Sequence, residues 1–276
     1  MNPSRSVRLL LVMFCLSMAA DGMFVQAASE EYQPKAGQAG KDVGWIPTDL
    51  ALVDAMLDMA KVTPEDYVID LGSGDGRTVI TAAKRGARTL GIEYNADMVA
   101  LSKRNAAIEG VSDKVEFIQG DLFEFDFSGA TVVALFLRTD LNLKLRPRIL
   151  DMKPGTRVVS NSFTMEEWTA DQTATVEEEK CPNLGCAAYF WIVPAKVGGK
   201  WKVAQGELTL QQSFQMISGT LNSGATRVPV TGRLIGQGIS FSVGDASYSG
   251  RVSGGTMQGT FTSGGNTSRW NATRNQ

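Results

Sequence analysis

The residues best suited to chemistry form one short run, Asp70-Leu71-Gly72-Ser73-Gly74-Asp75-Gly76. The run overlaps the end of an apolar stretch, Tyr67 to Leu71, that reads as a buried parallel strand, and it precedes a helical pattern from Arg77 to Arg85. Glycines at alternate positions let the backbone turn sharply and approach a ligand with no Cβ in the way. Two phosphate-binding readings fail on spacing. A dinucleotide fingerprint needs its third glycine at position 77, where this chain has Arg77, and no Gly-Lys-Ser/Thr follows to make a P-loop. Asp70 agrees with that exclusion, because a carboxylate sits poorly beside a pyrophosphate and well beside an ammonium.

Two further carboxylates end the next two strands. Glu93, 17 residues beyond Gly76, is placed to accept both hydroxyls of a ribose in bidentate fashion. Asp121, within Gln119-Gly120-Asp121-Leu122, is placed to accept an adenine amino group while Leu122 packs against the ring. Read singly, a strand-end Glu is a solvated residue and Gly-Asp an ordinary turn. Taken in order at successive strand ends, the three describe a cradle for an adenosyl amino acid without phosphate. The cofactor so described is S-adenosylmethionine rather than NAD.

The chain contains no histidine. That excludes a Ser-His-Asp triad, a Cys-His pair and any His-ligated zinc or iron site, and no metal centre is expected. Methyl transfer tolerates the lack, because it is an in-line displacement with a neutral leaving group. The protein's task there is alignment and exclusion of water. Phe136, Arg138, Asp140, Asn142 and Asn161 are expected on the acceptor side, with Asp140 and Asn161 as catalytic candidates and Asp140 binding the acceptor's ammonium.

These residues need a scaffold of alternating elements. Helical patterns cover Leu50 to Ala60, Ala96 to Ile108 and Leu141 to Met152. Strands are expected at Thr89 to Glu93, Val115 to Gln119, Thr131 to Leu137 and Thr156 to Ser160, with Thr173 to Glu178 and Ala187 to Val193 as an antiparallel closing pair. The alternation means a wound α/β sheet.

The motifs resemble a known family. Trp45-Ile46-Pro47-Thr48, the glycine run, Gly91-Ile92-Glu93-Tyr94-Asn95, Gly120-Asp121-Leu122-Phe123 and Lys153-Pro154-Gly155-Thr156-Arg157-Val158-Val159-Ser160 are similar to bacterial S-adenosylmethionine-dependent methyltransferases. These are relatives of the lysine methyltransferases that modify the c-subunit of ATP synthase and the adenine nucleotide translocase. The resemblance implies a class I, Rossmann-like seven-stranded sheet over residues 45–196 and an amine acceptor such as a protein lysine. It also implies cofactor contacts at Asp70, Gly72, Gly74, Gly76, Glu93 and Asp121, with Pro47 and Thr48 as lids; Ser73, Tyr94, Leu122 and Phe136 stand beside them as further cofactor-binding candidates. Leu137-Arg138-Thr139-Asp140 and Ser160-Asn161-Ser162-Phe163 depart from the family's Leu-Leu-Pro-like and Ser-His-Asp-Phe segments, both on the acceptor side. The competing expectation is an exported binding or structural protein that keeps the fold without turnover.

The flanks differ in kind. Arg5 and Arg8 before an apolar run, Leu9 to Ala20, and small residues before Ala28 read as a signal peptide over 1–27, followed by a flexible lead-in over 28–44. Export is the expected destination. A start at Met23 would instead give a cytoplasmic protein. Removal of the signal leaves Cys181 and Cys186, read as a short-loop disulfide or as two thiols. No stretch of the mature chain suits a transmembrane span, and a net charge of −2 offers no argument for nucleic acid. Of 29 glycines, 14 lie from Gly199 onward, between short apolar stretches, so residues 199–276 are expected to form an antiparallel β meander or small barrel. That tail is a candidate to cover the acceptor cleft, dock a partner or contact the cell envelope.

Overall fold

The computed structural model describes residues 32–275, so the expected signal segment and its alternative start lie outside the described residues. The first part of the chain folds as the alternation requires. Helix α1 (Leu50–Met59) leads into β1 (Tyr67–Leu71), α2 (Arg77–Lys84), β2 (Arg88–Glu93), α3 (Ala96–Ile108), β3 (Val115–Gln119), β4 (Val132–Leu135), α4 (Thr139–Leu150) and β5 (Arg157–Asn161). Strands β6 (Gln172–Thr175) and β7 (Ala187–Ile192) close the sheet. Its order is β3-β2-β1-β4-β5-β7-β6, with β7 antiparallel to both neighbours.

Strands β1 and β4 are buried along almost their whole length, as the continuous apolar runs demand for a sheet covered on both faces. The order reverses between β1 and β4, which opens a crevice at the carboxyl ends of the parallel strands, where the glycine run emerges. Asp66 ties the opposite ends together. Its carboxylate pairs with Arg157 and accepts from Thr131 Oγ1 at 2.7 Å and from Thr63 N at 2.9 Å.

Residues 199–274 form a closed eight-stranded antiparallel barrel rather than an open meander. Its strands are β8 (Gly199–Val203), β9 (Gly206–Ser213), β10 (Met216–Ser223), β11 (Thr226–Ile235), β12 (Gly238–Val243), β13 (Ala246–Ser253), β14 (Thr256–Ser263) and β15 (Asn266–Arg274). Each strand pairs with the next, and β15 returns to β8. Side chains fill the interior, including Trp201, Leu208, Phe241, Tyr248, Met257 and Trp270, so this barrel is a packed core. Strand-interior glycines permit its curvature: a Cβ at Gly259 would lie 1.9 Å from Ser249 O.

The barrel docks at the end of the sheet opposite the crevice. Ala195 N donates to Gly236 O at 2.8 Å, Gln215 Nε2 to Thr169 O at 2.7 Å, and Arg233 pairs with Asp171. Phe214 stacks on Trp168 with ring centroids 6.1 Å apart. No barrel residue lines the crevice among the described residues, so the tail does not cover the acceptor cleft.

Candidate functional site

The crevice is a cavity of about 320 Å³, of the size that holds a small-molecule ligand. Asp70, Gly72, Ser73 and Gly74 from the β1–α2 turn, Glu93 and Tyr94 from the end of β2, Asp121 and Leu122 after β3, and Phe136 after β4 all line it. Pro47 and Thr48 line it from the segment before α1. Gly76, expected to join them, does not. It is the left-handed residue preceding α2, where a Cβ would lie 2.7 Å from Phe117 Cζ, so its smallness serves packing.

The carboxylates are held by different means. Glu93 accepts from Gly74 N through Oε2 and from Asn95 N through Oε1, both at 2.9 Å, which fixes its plane against the glycine turn. Asp70 is buried, and burial pushes its carboxyl up to about 7, against a hydrogen bond from Thr78; the charged groups facing it, Glu93 and Asp75, are negative and add to the rise. Asp121 differs from the expectation: Oδ1 accepts from Phe123 N at 2.8 Å, while Oδ2 is ion-paired with Lys41.

Lys41 belongs to the segment expected to be a flexible lead-in. Its described part folds back on itself, with Gly37 N bonded to Trp45 O at 2.7 Å and Trp45 N to Gln38 O at 2.9 Å. This strap lines the cavity through Gly37 and residues 41–48. Lys41 Nζ also stands 5.2 Å from the Tyr94 ring centroid. Gly74 (φ +55°) is where the strap presses closest, since a Cβ there would meet Trp45 Nε1 at 2.4 Å. No local pattern announces a contact between residues 80 positions apart, and polar, small composition reads as loop.

Arg77 is a second unforeseen participant. It clasps Asp75 with Nε at 3.0 Å from Oδ1 and Nη2 at 2.6 Å from Oδ2, and donates from Nη1 to Thr48 O at 2.7 Å. The glycine turn is thereby tied to Pro47-Thr48. In the sequence, Arg77 carried only the argument against a dinucleotide site.

On the acceptor side the expectations need correction. Asp140 is exposed, is taken up by a bidentate pair with Arg138 at 2.9 Å through both nitrogens, and does not line the cavity. Asn161 is buried beneath the wall, donating from Nδ2 to Thr48 Oγ1 at 3.1 Å, so it positions Thr48. Asn142 is also buried and donates to Phe163 O at 3.3 Å and Thr164 O at 3.4 Å. The residues that do line this end are Thr48, Phe136, Arg138, Leu141, Phe163 and Leu184.

A sheet that reverses at β1/β4, with acidic residues ending three successive strands around a glycine turn, defines a class I S-adenosylmethionine-dependent methyltransferase. Comparison with known proteins agrees. Residues 70–172 match the family described as the ANTKMT methyltransferase domain. A protein-lysine N-methyltransferase of Saccharolobus islandicus is 38% identical over 154 residues, 55% of this chain and 94% of that protein. The human lysine N-methyltransferase of the ATP synthase c-subunit is 35% identical over 105 residues, 38% of this chain and 45% of that protein. An RNA methyltransferase from Salinibacter ruber, solved with S-adenosyl-L-homocysteine, superposes with a TM-score of 0.51 at 47% identity, covering 55% of this chain and 96% of that one. The chain thus spans nearly all of the archaeal relative and under half of the human one. It belongs to the family of S-adenosylmethionine-dependent methyltransferases that includes these lysine N-methyltransferases.

Proposed function

We propose that this chain methylates a protein lysine, with the cofactor held by the three strand-end carboxylates and the glycine turn. The observation that carries the reading is Asp70: a buried carboxyl whose charged neighbours are all negative, which a ligand ammonium would complete. Ser73 Oγ, buried at the cavity wall with no protein partner, offers one more polar contact. Glu93 would take the ribose hydroxyls, Leu122 the adenine face, and Asp121 the adenine edge in competition with Lys41.

When bound, S-adenosylmethionine supplies a methyl carbon whose bond to sulfur breaks, with the electron pair going to sulfur, as the bond to nitrogen forms. The chain's residues align and exclude water around that event. Phe136, Phe163 and Leu184 keep the acceptor end dry. Thr48 Oγ1, fixed by Asn161, retains a lone pair for an amine N–H and so orients the nitrogen. The amine gives its proton to water before attack, which suits a chain without histidine.

Relatives are named for lysine and for RNA acceptors alike. A net charge of −2 favours lysine, because RNA affinity rests on basic surface. Family membership favours turnover over a binding-only role. Incubation of the full chain with labelled S-adenosylmethionine and cell-envelope protein or total RNA tests this. Methylated lysine in the protein arm is expected, and label confined to RNA contradicts the lysine reading.

We also propose export, on the signal-like residues 1–27 and on Cys181 and Cys186, whose sulfurs are at bonding distance in a loop with Cα atoms 5.6 Å apart. N-terminal sequencing of the native protein decides: Ala28 supports export, and Met23 a cytoplasmic protein.

A further inference from the structure

The strand order gives the cavity a direction. The carboxylates that suit the cofactor end β1, β2 and β3, so the cavity's other end, beyond β4 and β5, receives the acceptor. One wall of that end comes from the β6–β7 connection, through Leu184. Leu184 is 42% exposed and lines the same cavity as Phe136 and Phe163, whose ring centroids are 6.2 Å apart.

The loop carrying Leu184 is pinned on every side. The Cys181–Cys186 disulfide closes it, and Val176 N donates to Cys186 O at 2.9 Å. Asn183 Nδ2 donates to Asp49 Oδ1 at 2.6 Å; Asp49 precedes α1 yet makes no side-chain bond to its own helix and gives its carboxylate to the loop. Ser162 Oγ shares its one proton between Asn161 Oδ1 at 2.6 Å and Leu184 O at 3.1 Å, and Asn161 holds Thr48. These bonds fix the backbone that carries Leu184 beside the cavity.

We propose that the disulfide-closed loop 181–186 is the acceptor gauge of this enzyme, with Leu184, Phe136 and Phe163 forming an apolar collar that admits the unbranched alkyl stem of an amine and refuses a bulkier one. The inference rests on the amine-acceptor reading above. A collar of this kind discriminates by cross-section, since misplaced methylenes in an apolar pocket cost about tenfold or more in affinity. The disulfide holds Leu184 at the distance that sets the aperture.

The test uses the full chain saturated with S-adenosylhomocysteine, with n-pentylamine and cyclohexylmethylamine as probes and saturation-transfer NMR as the readout. The native protein is expected to prefer n-pentylamine by about tenfold. Leu184→Ala, and separately the Cys181→Ser/Cys186→Ser pair, should each reduce that preference to about twofold or less while S-adenosylhomocysteine affinity stays within about twofold. Leu184 is exposed, so its replacement leaves the core intact. An unchanged preference in both variants overturns the collar and leaves the amine reading standing. A native protein that binds neither amine overturns both.

Discussion

The amide of Gly74 donates to Glu93 Oε2 at 2.9 Å, joining the glycine turn after β1 to the carboxylate that ends β2. The bond fixes the turn and the carboxylate as one unit, so loss of Glu93 disturbs both surfaces offered to the cofactor. Glu93→Ala should weaken S-adenosylhomocysteine binding by about 2 kcal/mol, roughly thirtyfold, as expected for removing a charged hydrogen-bond partner. Calorimetry on the two proteins checks this.

Asp70 makes cofactor affinity depend on pH. In the folded protein its carboxyl is pushed up to about 7, so below that value it carries a proton and offers no charge to a ligand ammonium. Affinity for S-adenosylhomocysteine should therefore rise with pH, by about tenfold per unit approaching 7, and level off above it. Without ligand the sign for stability is opposite. Between about 4, the unfolded value, and about 7 the folded state holds a proton the unfolded chain has lost, so burial of Asp70 costs stability as pH rises through that window. Asp70→Asn should flatten the affinity profile, and should remove the stability cost.

Much of this arrangement was legible in the sequence because its signals are local. Alternating apolar runs and turn residues marked β1 to β7, and the three carboxylates declared themselves by falling at strand ends. The contacts that escaped notice depend on long-range folding. Lys41 meets Asp121 across 80 residues, and Arg77 reaches back to Thr48. Asp140 misled for a physical reason: two residues from Arg138 at the start of α4, it satisfies a neighbour instead of the cavity. Whether residues 199–276 form an open meander or a closed barrel was not legible, because closure depends on the β15–β8 pairing between the two ends of that segment.

Gly74→Ala tests the fit between turn and strap. The position has φ +55°, and a Cβ would lie 2.4 Å from Trp45 Nε1. Either the turn or the strap must move, so the variant should lose about 2 kcal/mol of stability and bind cofactor more weakly. Denaturant unfolding and calorimetry together report both effects.

Asp66 anchors the far end of the sheet. Burial would raise its carboxyl, yet hydrogen bonds from Thr63 and Thr131 and the Arg157 guanidinium hold it below the usual range. The stability it contributes is present above the unfolded value near 4 and is lost as pH falls through the lower folded value. Asp66→Ala leaves Arg157 without its carboxylate and should cost about 3 kcal/mol in urea unfolding at neutral pH. The variant should also lose part of the native protein's acid sensitivity.

Asp140→Ala should be nearly silent. The residue is exposed and, unlike its partner Arg138, does not line the cavity, so turnover on a verified acceptor should stay within about twofold of native, with the unfolding midpoint unmoved. A large fall in turnover would return Asp140 to the acceptor site.

A cradle for an adenosyl amino acid at the carboxyl ends of β1, β2 and β3 is what methyl transfer by this chain requires. Isothermal calorimetry of the full chain with S-adenosylhomocysteine addresses it without any acceptor. One molecule bound per chain, with affinity weakened in Asp70→Asn and in Glu93→Ala, is the predicted result. No binding heat at any pH between about 6 and about 9, with no thermal stabilisation by the ligand, would contradict it.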